Sequence, residues 1–115
     1  MNRFFKSFIY AAKGLRYSFR TQLNFRFHVS SAALAIVLGF MLKISVFEWL
    51  WVLVSVALVV LAELLNTAIE TLVDLVSPGY HEKAGIVKDV SAAAVLIAAF
   101  FALAVALLIF VPRLI

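Results

Sequence analysis

Apolar positions along the chain gather into three long runs separated by short polar interruptions. The first extends from His28 to about Ile44, the second from Phe47 to Val76, and the third from about Val90 to Val111. The third lies within a helical pattern that begins near Glu82. None alternates with period two, so membrane helices are predicted rather than barrel strands. "SPGY", residues 77–80, supplies the turn between the second and third runs.

Ahead of these runs, Phe5, Phe8, Ile9, Ala12, Leu15 and Phe19 recur at three- and four-residue steps. Lys6, Lys13, Arg16 and Arg20 fall mostly off that stripe. This is the pattern of an amphipathic helix lying in the headgroup plane, with Asn24 marking its break. The predicted architecture is all-α and integral to the membrane. It is one domain, with an interfacial arm over 1–27 and spans over 28–45, 47–76 and 82–112. Trp49 and Trp51 read as interfacial anchors of the second span. Pro112 and Arg113 read as the end of the third. Ser31, Ala35 and Gly39 form a small-residue stripe on the first span, and Ala94, Ala98, Ala102 and Ala106 form another on the third. Both suit close helix contact.

Composition agrees with this pattern. Of 115 residues, 66% are hydrophobic and 14% charged, too few polar groups to cover a water-soluble globule. Six of the ten basic residues precede residue 27, and no acid appears before Glu48. Beside three apolar spans, that charge reads as a lipid-surface contact and not as a nucleic-acid site. The arm and the 77–89 connection hold eight Lys/Arg, and the other side holds Lys43 and Arg113. The positive-inside rule therefore places the N-terminus and that connection in the cytoplasm. Cysteine is absent, which excludes thiol chemistry and disulfides.

Against this background "AELLNTAIETLVD", residues 62–74, is anomalous, because acids are expensive near a bilayer. On a helix Glu63, Asn66, Thr67, Glu70 and Asp74 share one arc of about 100°. Glu63 lies about 24 Å along the helix from Phe47, near the inner edge of the hydrocarbon. Glu70 and Asp74 lie progressively closer to water. Solvation of a helix end or subunit contact would account for Asp74 best and Glu63 worst. A transmembrane ion path is disfavoured, because Leu53–Ala62 offers only Ser55. In "HEKAGIVKDVSAAAVL", residues 81–96, Lys88 and Asp89 lie at the same membrane surface. Taken alone they suit a cytoplasmic anchor and a helix start, and His81 a solvated loop. Gln22 and Arg26, four apart, share a face at the entry of the first span, and His28 suits an interfacial position. Carboxylates and cations together at a membrane surface fit phosphoryl transfer, for which Mg²⁺ prefers hard oxygen ligands. The four glycines are isolated, so no phosphate-binding glycine loop exists.

"AELLNTAIETLVD" and "YHEKAGIVKDVSAAAVLIA" resemble the two signature blocks of the prokaryotic diacylglycerol kinase family, and "RFFKSFIYAAKGLRYSF" resembles its N-terminal segment. The resemblance covers essentially the whole chain. It implies a homotrimer in the bacterial inner membrane with active sites between subunits. The implied reaction is ATP- and Mg²⁺-dependent phosphorylation of a lipid hydroxyl. Carried over by residue, it implies Glu63 as general base, Asn66 as a shaper of the site, and Glu70 as metal ligand. Arg3, Lys6, Tyr10, Lys88 and Asp89 would meet the nucleotide or its phosphates, with His81 and Asp74 at further family positions. Where the family carries Glu at the second metal position, this chain has Gln22. "NFRFH", "FEW" and "NTAIE" look like the Gram-positive branch, whose members resemble undecaprenol kinases. That branch favours undecaprenol as acceptor, with diacylglycerol, or a weakened binding-only protein, as alternatives.

Overall fold

A computed structural model describes residues 2–115. Four helices follow in order: α1 Arg3–Thr21, α2 Leu23–Met41, α3 Val46–Val76 and α4 Glu82–Leu114. The last three are long and apolar enough to cross a membrane.

The first break falls at Gln22, two residues ahead of Asn24. Gln22 is extended (φ −116°, ψ 110°), ending α1 and starting α2. Residues 23–27 therefore belong to the first membrane-length helix and not to the arm. Arg26 fixes this corner by donating from Nη1 to the carbonyls of Phe19 and Arg20, both at 3.4 Å. A cation there offsets the negative end of the α1 dipole.

A tight connection joins α2 to α3. The N–H of Ile44 donates to the Gly39 carbonyl (3.2 Å) and that of Lys43 to the Phe40 carbonyl (3.3 Å), with Lys43 left-handed at φ 53°. This is a Schellman ending. Ser45 then caps α3 through a capping box with Glu48, satisfying donors that would otherwise be orphaned. At the far end α4 continues through Pro112 to Leu114. The φ fixed by the proline ring is compatible with a helical backbone, and Pro112 does not stop the helix at 112. Arg113 of α4 donates to Glu48 of α3, tying these two ends together.

The dry core lies at this same end. Ile44, Val52, Ile109 and Phe110 are buried together, with Trp49 packed against them. Trp49 meets Phe40 of α2, ring centroids 4.9 Å apart, so it is a helix–helix packing residue as much as a boundary anchor. Helices α3 and α4 share the largest interface in the chain, where Ala98 of the alanine stripe is buried. A groove of about 430 Å³ opens between α2, α3 and α4, lined by Phe27, His28, Ser31, Val56, Ala102 and Phe110 among others.

Candidate functional site

Most hydroxyls within the spans need no external partner. Ser31 donates to the Phe27 carbonyl, Ser55 to Trp51, Thr67 to Glu63 and Thr71 to Thr67, at 2.7–3.0 Å. A hydroxyl bonded one turn back satisfies itself inside lipid. Ser55, the lone polar residue of the middle of the second span, is explained in this way.

Glu63 is not so easily accounted for. It is 2% exposed, the most completely buried large side chain among the described residues. Its Oε1 accepts no hydrogen bond. The ring of His28, on α2, brings Nε2 to 3.3 Å from that oxygen, inside ion-pair range but off the hydrogen-bond line. A buried carboxylate without a full set of donors is costly, and such groups concentrate where chemistry is done.

The next turns of the stripe face a different helix. Asn66 donates from Nδ2 to Glu70 Oε1 at 3.0 Å. Asn66 Oδ1 accepts from Ser91 Oγ of α4 at 2.7 Å. Asn66 is thus held from both sides and in turn orients Glu70. Packing therefore splits the stripe: Glu63 meets α2, whereas Asn66 meets α4. Further along, Lys88 Nζ pairs with Asp74 Oδ1 at 2.6 Å, linking α4 back to α3. That pair is largely solvent-exposed, so its contribution to stability is small. Asp89 is exposed beside it.

Other candidates lie apart from this cluster. His81 is exposed and caps α4, its Nδ1 accepting from the Lys83 N–H at 3.2 Å. Arg3, Lys6 and Tyr10 are exposed along α1. Among the described residues none of these three donates to or accepts from the α3 stripe through its side chain. The Gln22 side chain makes no capping hydrogen bond at the α1–α2 corner and is half-buried.

Two residues of the cluster carried little sequence signal. Ser91 sits in an alanine-rich run and reads as a small packing residue. His28 reads as an interfacial side chain, and only the approach of α2 to α3 gives it Glu63 as a partner.

Among the described residues no three His, Cys, Asp or Glu side chains gather as a metal-binding group. Glu70 has one oxygen held by an amide and belongs to a stripe ending at water. This donor set fits Mg²⁺, which characteristically binds one or two carboxylates while phosphates and water supply its other ligands.

The profile of the family described as prokaryotic diacylglycerol kinase matches residues 9–110. The chain is 40% identical to the undecaprenol kinase of Bacillus subtilis (strain 168), over 99% of this chain and 93% of that protein. It is 41% identical to a diacylglycerol kinase of Synechocystis sp., over 94% of this chain and 62% of that protein. It is 38% identical to the diacylglycerol kinase of Escherichia coli (strain K12), over 84% of this chain and 79% of that protein.

Proposed function

This chain belongs to the prokaryotic diacylglycerol kinase family, and from that premise we propose that it transfers the γ-phosphate of ATP to a membrane lipid hydroxyl, undecaprenol being the preferred acceptor. The observation that carries this reading is Glu63: a buried carboxylate with an oxygen that accepts no hydrogen bond, one end of a polar stripe that reaches water at Asp74.

Glu63 is the general base. It takes the proton of the acceptor hydroxyl as that oxygen attacks the γ-phosphorus. The new oxygen–phosphorus bond forms as the bond to the β,γ-bridging oxygen breaks, and ADP leaves. Glu70, held by Asn66, and Gln22 would hold Mg²⁺, which supplies charge neutralisation at the phosphate oxygens when bound. Lys88 offsets phosphate charge, and Asp89 and His81 border the nucleotide. Arg3, Lys6 and Tyr10 reach it from α1. Arg26 anchors the corner that presents Gln22, and Thr67 keeps the turn beside Glu63 satisfied.

The assembly that suits these roles is a homotrimer in the bacterial inner membrane, with the N-terminus cytoplasmic and sites shared between subunits. Helix α1 lies along the cytoplasmic surface. Its exposed Phe4, Phe5 and Phe8 enter the headgroup layer beside its cations. Preference for undecaprenol is supported by the near full-length similarity to the Bacillus enzyme. Diacylglycerol, the acceptor in the names of the other relatives, is the alternative.

The test is purified protein in detergent with ATP, Mg²⁺ and a panel of lipid alcohols. Phosphorylation of undecaprenol in preference to diacylglycerol is the expected result. Preference for diacylglycerol overturns the acceptor assignment, and no lipid-dependent ATP consumption overturns the activity.

A further inference from the structure

The approach of His28 to Glu63 has no place in the reaction as described so far. His28 is the only side chain among the described residues within ion-pair distance of Glu63. It comes from a different helix, its ring is stacked edge-on to Phe27 at 5.5 Å between centroids, and its side chain is 19% exposed. The ring also lines the groove between α2, α3 and α4, whereas Glu63 does not line it. Helix α3 itself provides no donor to Glu63 Oε1. The remaining wall of the groove beside His28 is apolar or carries self-satisfied hydroxyls.

A base must present one carboxylate oxygen to the acceptor in a fixed direction, because proton transfer requires hydrogen-bond geometry. A carboxylate held by no donor rotates about its last torsion and spreads its population over unproductive angles. We propose that His28 is a positioning residue for Glu63: its Nε2–H donates to Oε1 and leaves the other oxygen to take the acceptor proton. A small rotation of either side chain aligns the 3.3 Å contact. This inference rests on Glu63 being the base. It adds a residue that acts through Glu63 and touches neither nucleotide nor metal.

The experiment compares His28→Leu, His28→Asn and His28→Gln as purified, assembled proteins. Each is assayed with undecaprenol and, in parallel, diacylglycerol, with kcat and both KM values measured. Leucine occupies the space without a donor, asparagine carries an amide too short to reach, and glutamine places an amide N–H near the position of Nε2. His28→Leu and His28→Asn should each lose about ten- to hundredfold in kcat, the scale of one hydrogen bond to a charged group. Their KM values should stay within about twofold of wild type. His28→Gln should recover most of the loss.

Wild-type kcat in His28→Leu and His28→Asn would overturn the proposal. So would equal impairment of all three variants, or a loss confined to KM. If His28→Leu does not assemble, the contrast between asparagine and glutamine, both polar, decides. Glu63→Gln serves as the control and should abolish turnover in an assembled protein. Full turnover by Glu63→Gln refutes the assigned base itself, whereas a dead Glu63→Gln beside a fully active His28→Leu refutes only the role of His28.

Discussion

The six-membered ring of Trp49 packs directly against Gly39. A Cβ added to that glycine would lie 2.6 Å from Cη2 and 2.8 Å from Cζ2 of the indole, and 3.1 Å from Cδ1 of Ile44. The indole is a rigid plane wedged beside the dry core, so it cannot yield as a flexible chain end would. Gly39→Ala should therefore destabilise the protein by about 1–3 kcal/mol, the usual cost of overpacking. The check is the thermal unfolding midpoint in detergent, with Ala35→Gly as a neighbouring control. An unchanged midpoint in Gly39→Ala would show that α2 and α3 separate at no cost.

Lys43 occupies a left-handed backbone conformation at φ 53°, where residues with a Cβ are disfavoured and glycine is not. The Schellman hydrogen bonds at this position are made by the backbone and survive substitution. Lys43→Gly should stabilise the protein by up to about 1 kcal/mol, read as a higher unfolding midpoint with unchanged kcat. A lower midpoint would mean that the lysine's reach to the far membrane surface outweighs its backbone strain.

The chain Ser91–Asn66–Glu70 runs in series. Removing Asn66 releases Glu70, and removing Ser91 leaves an amide oxygen without its donor. With Glu70 as the proposed metal ligand, Asn66→Ala should raise the Mg²⁺–ATP concentration for half-maximal activity about tenfold or more, on the scale of lost support to a metal ligand. Ser91→Ala should act in the same direction but less. Because the two act as a unit, the double variant should be no worse than Asn66→Ala alone. Additive losses would separate Ser91 from Asn66 and Glu70.

Gln22 leaves its side chain free of capping duty at the α1–α2 corner. In its proposed role at the metal, a neutral amide oxygen brings no negative charge to Mg²⁺, so Gln22→Glu should lower the Mg²⁺ requirement severalfold. The new carboxylate sits at once at the N-terminus of α2 and the C-terminus of α1, so the two helix dipoles oppose each other there. Identical Mg²⁺ titrations for the two proteins would show that position 22 takes no part in binding the metal.

Three membrane-length helices and a separate N-terminal helix could be read directly from the chain. Apolar runs of that length, with turn residues between them, leave a lipid-embedded backbone no other way to satisfy its hydrogen bonds. Boundaries were less legible. Asn24 carries a breaker's composition, yet the break falls at Gln22, where Arg26 caps the preceding helix. Pro112 suggests a stop, yet α4 runs on to Leu114, because the φ fixed by the proline ring is itself compatible with a helical backbone. The periodicity of residues 62–74 was enough to place five polar side chains on one arc, since that depends only on residues per turn.

What those side chains touch depended on how the helices pack. Periodicity assigned one stripe, but helix packing divides it, turning Glu63 towards His28 of α2 and Asn66 towards Ser91 of α4. His28 and Glu63 are thirty-five positions apart in the chain, and neither residue's local pattern names the other. The sequence by itself determined which helices form and which face of α3 is polar. Only the tertiary structure decided which carboxylate is sealed from solvent and which polar groups support it, because burial and hydrogen-bond partners are properties of helices brought together.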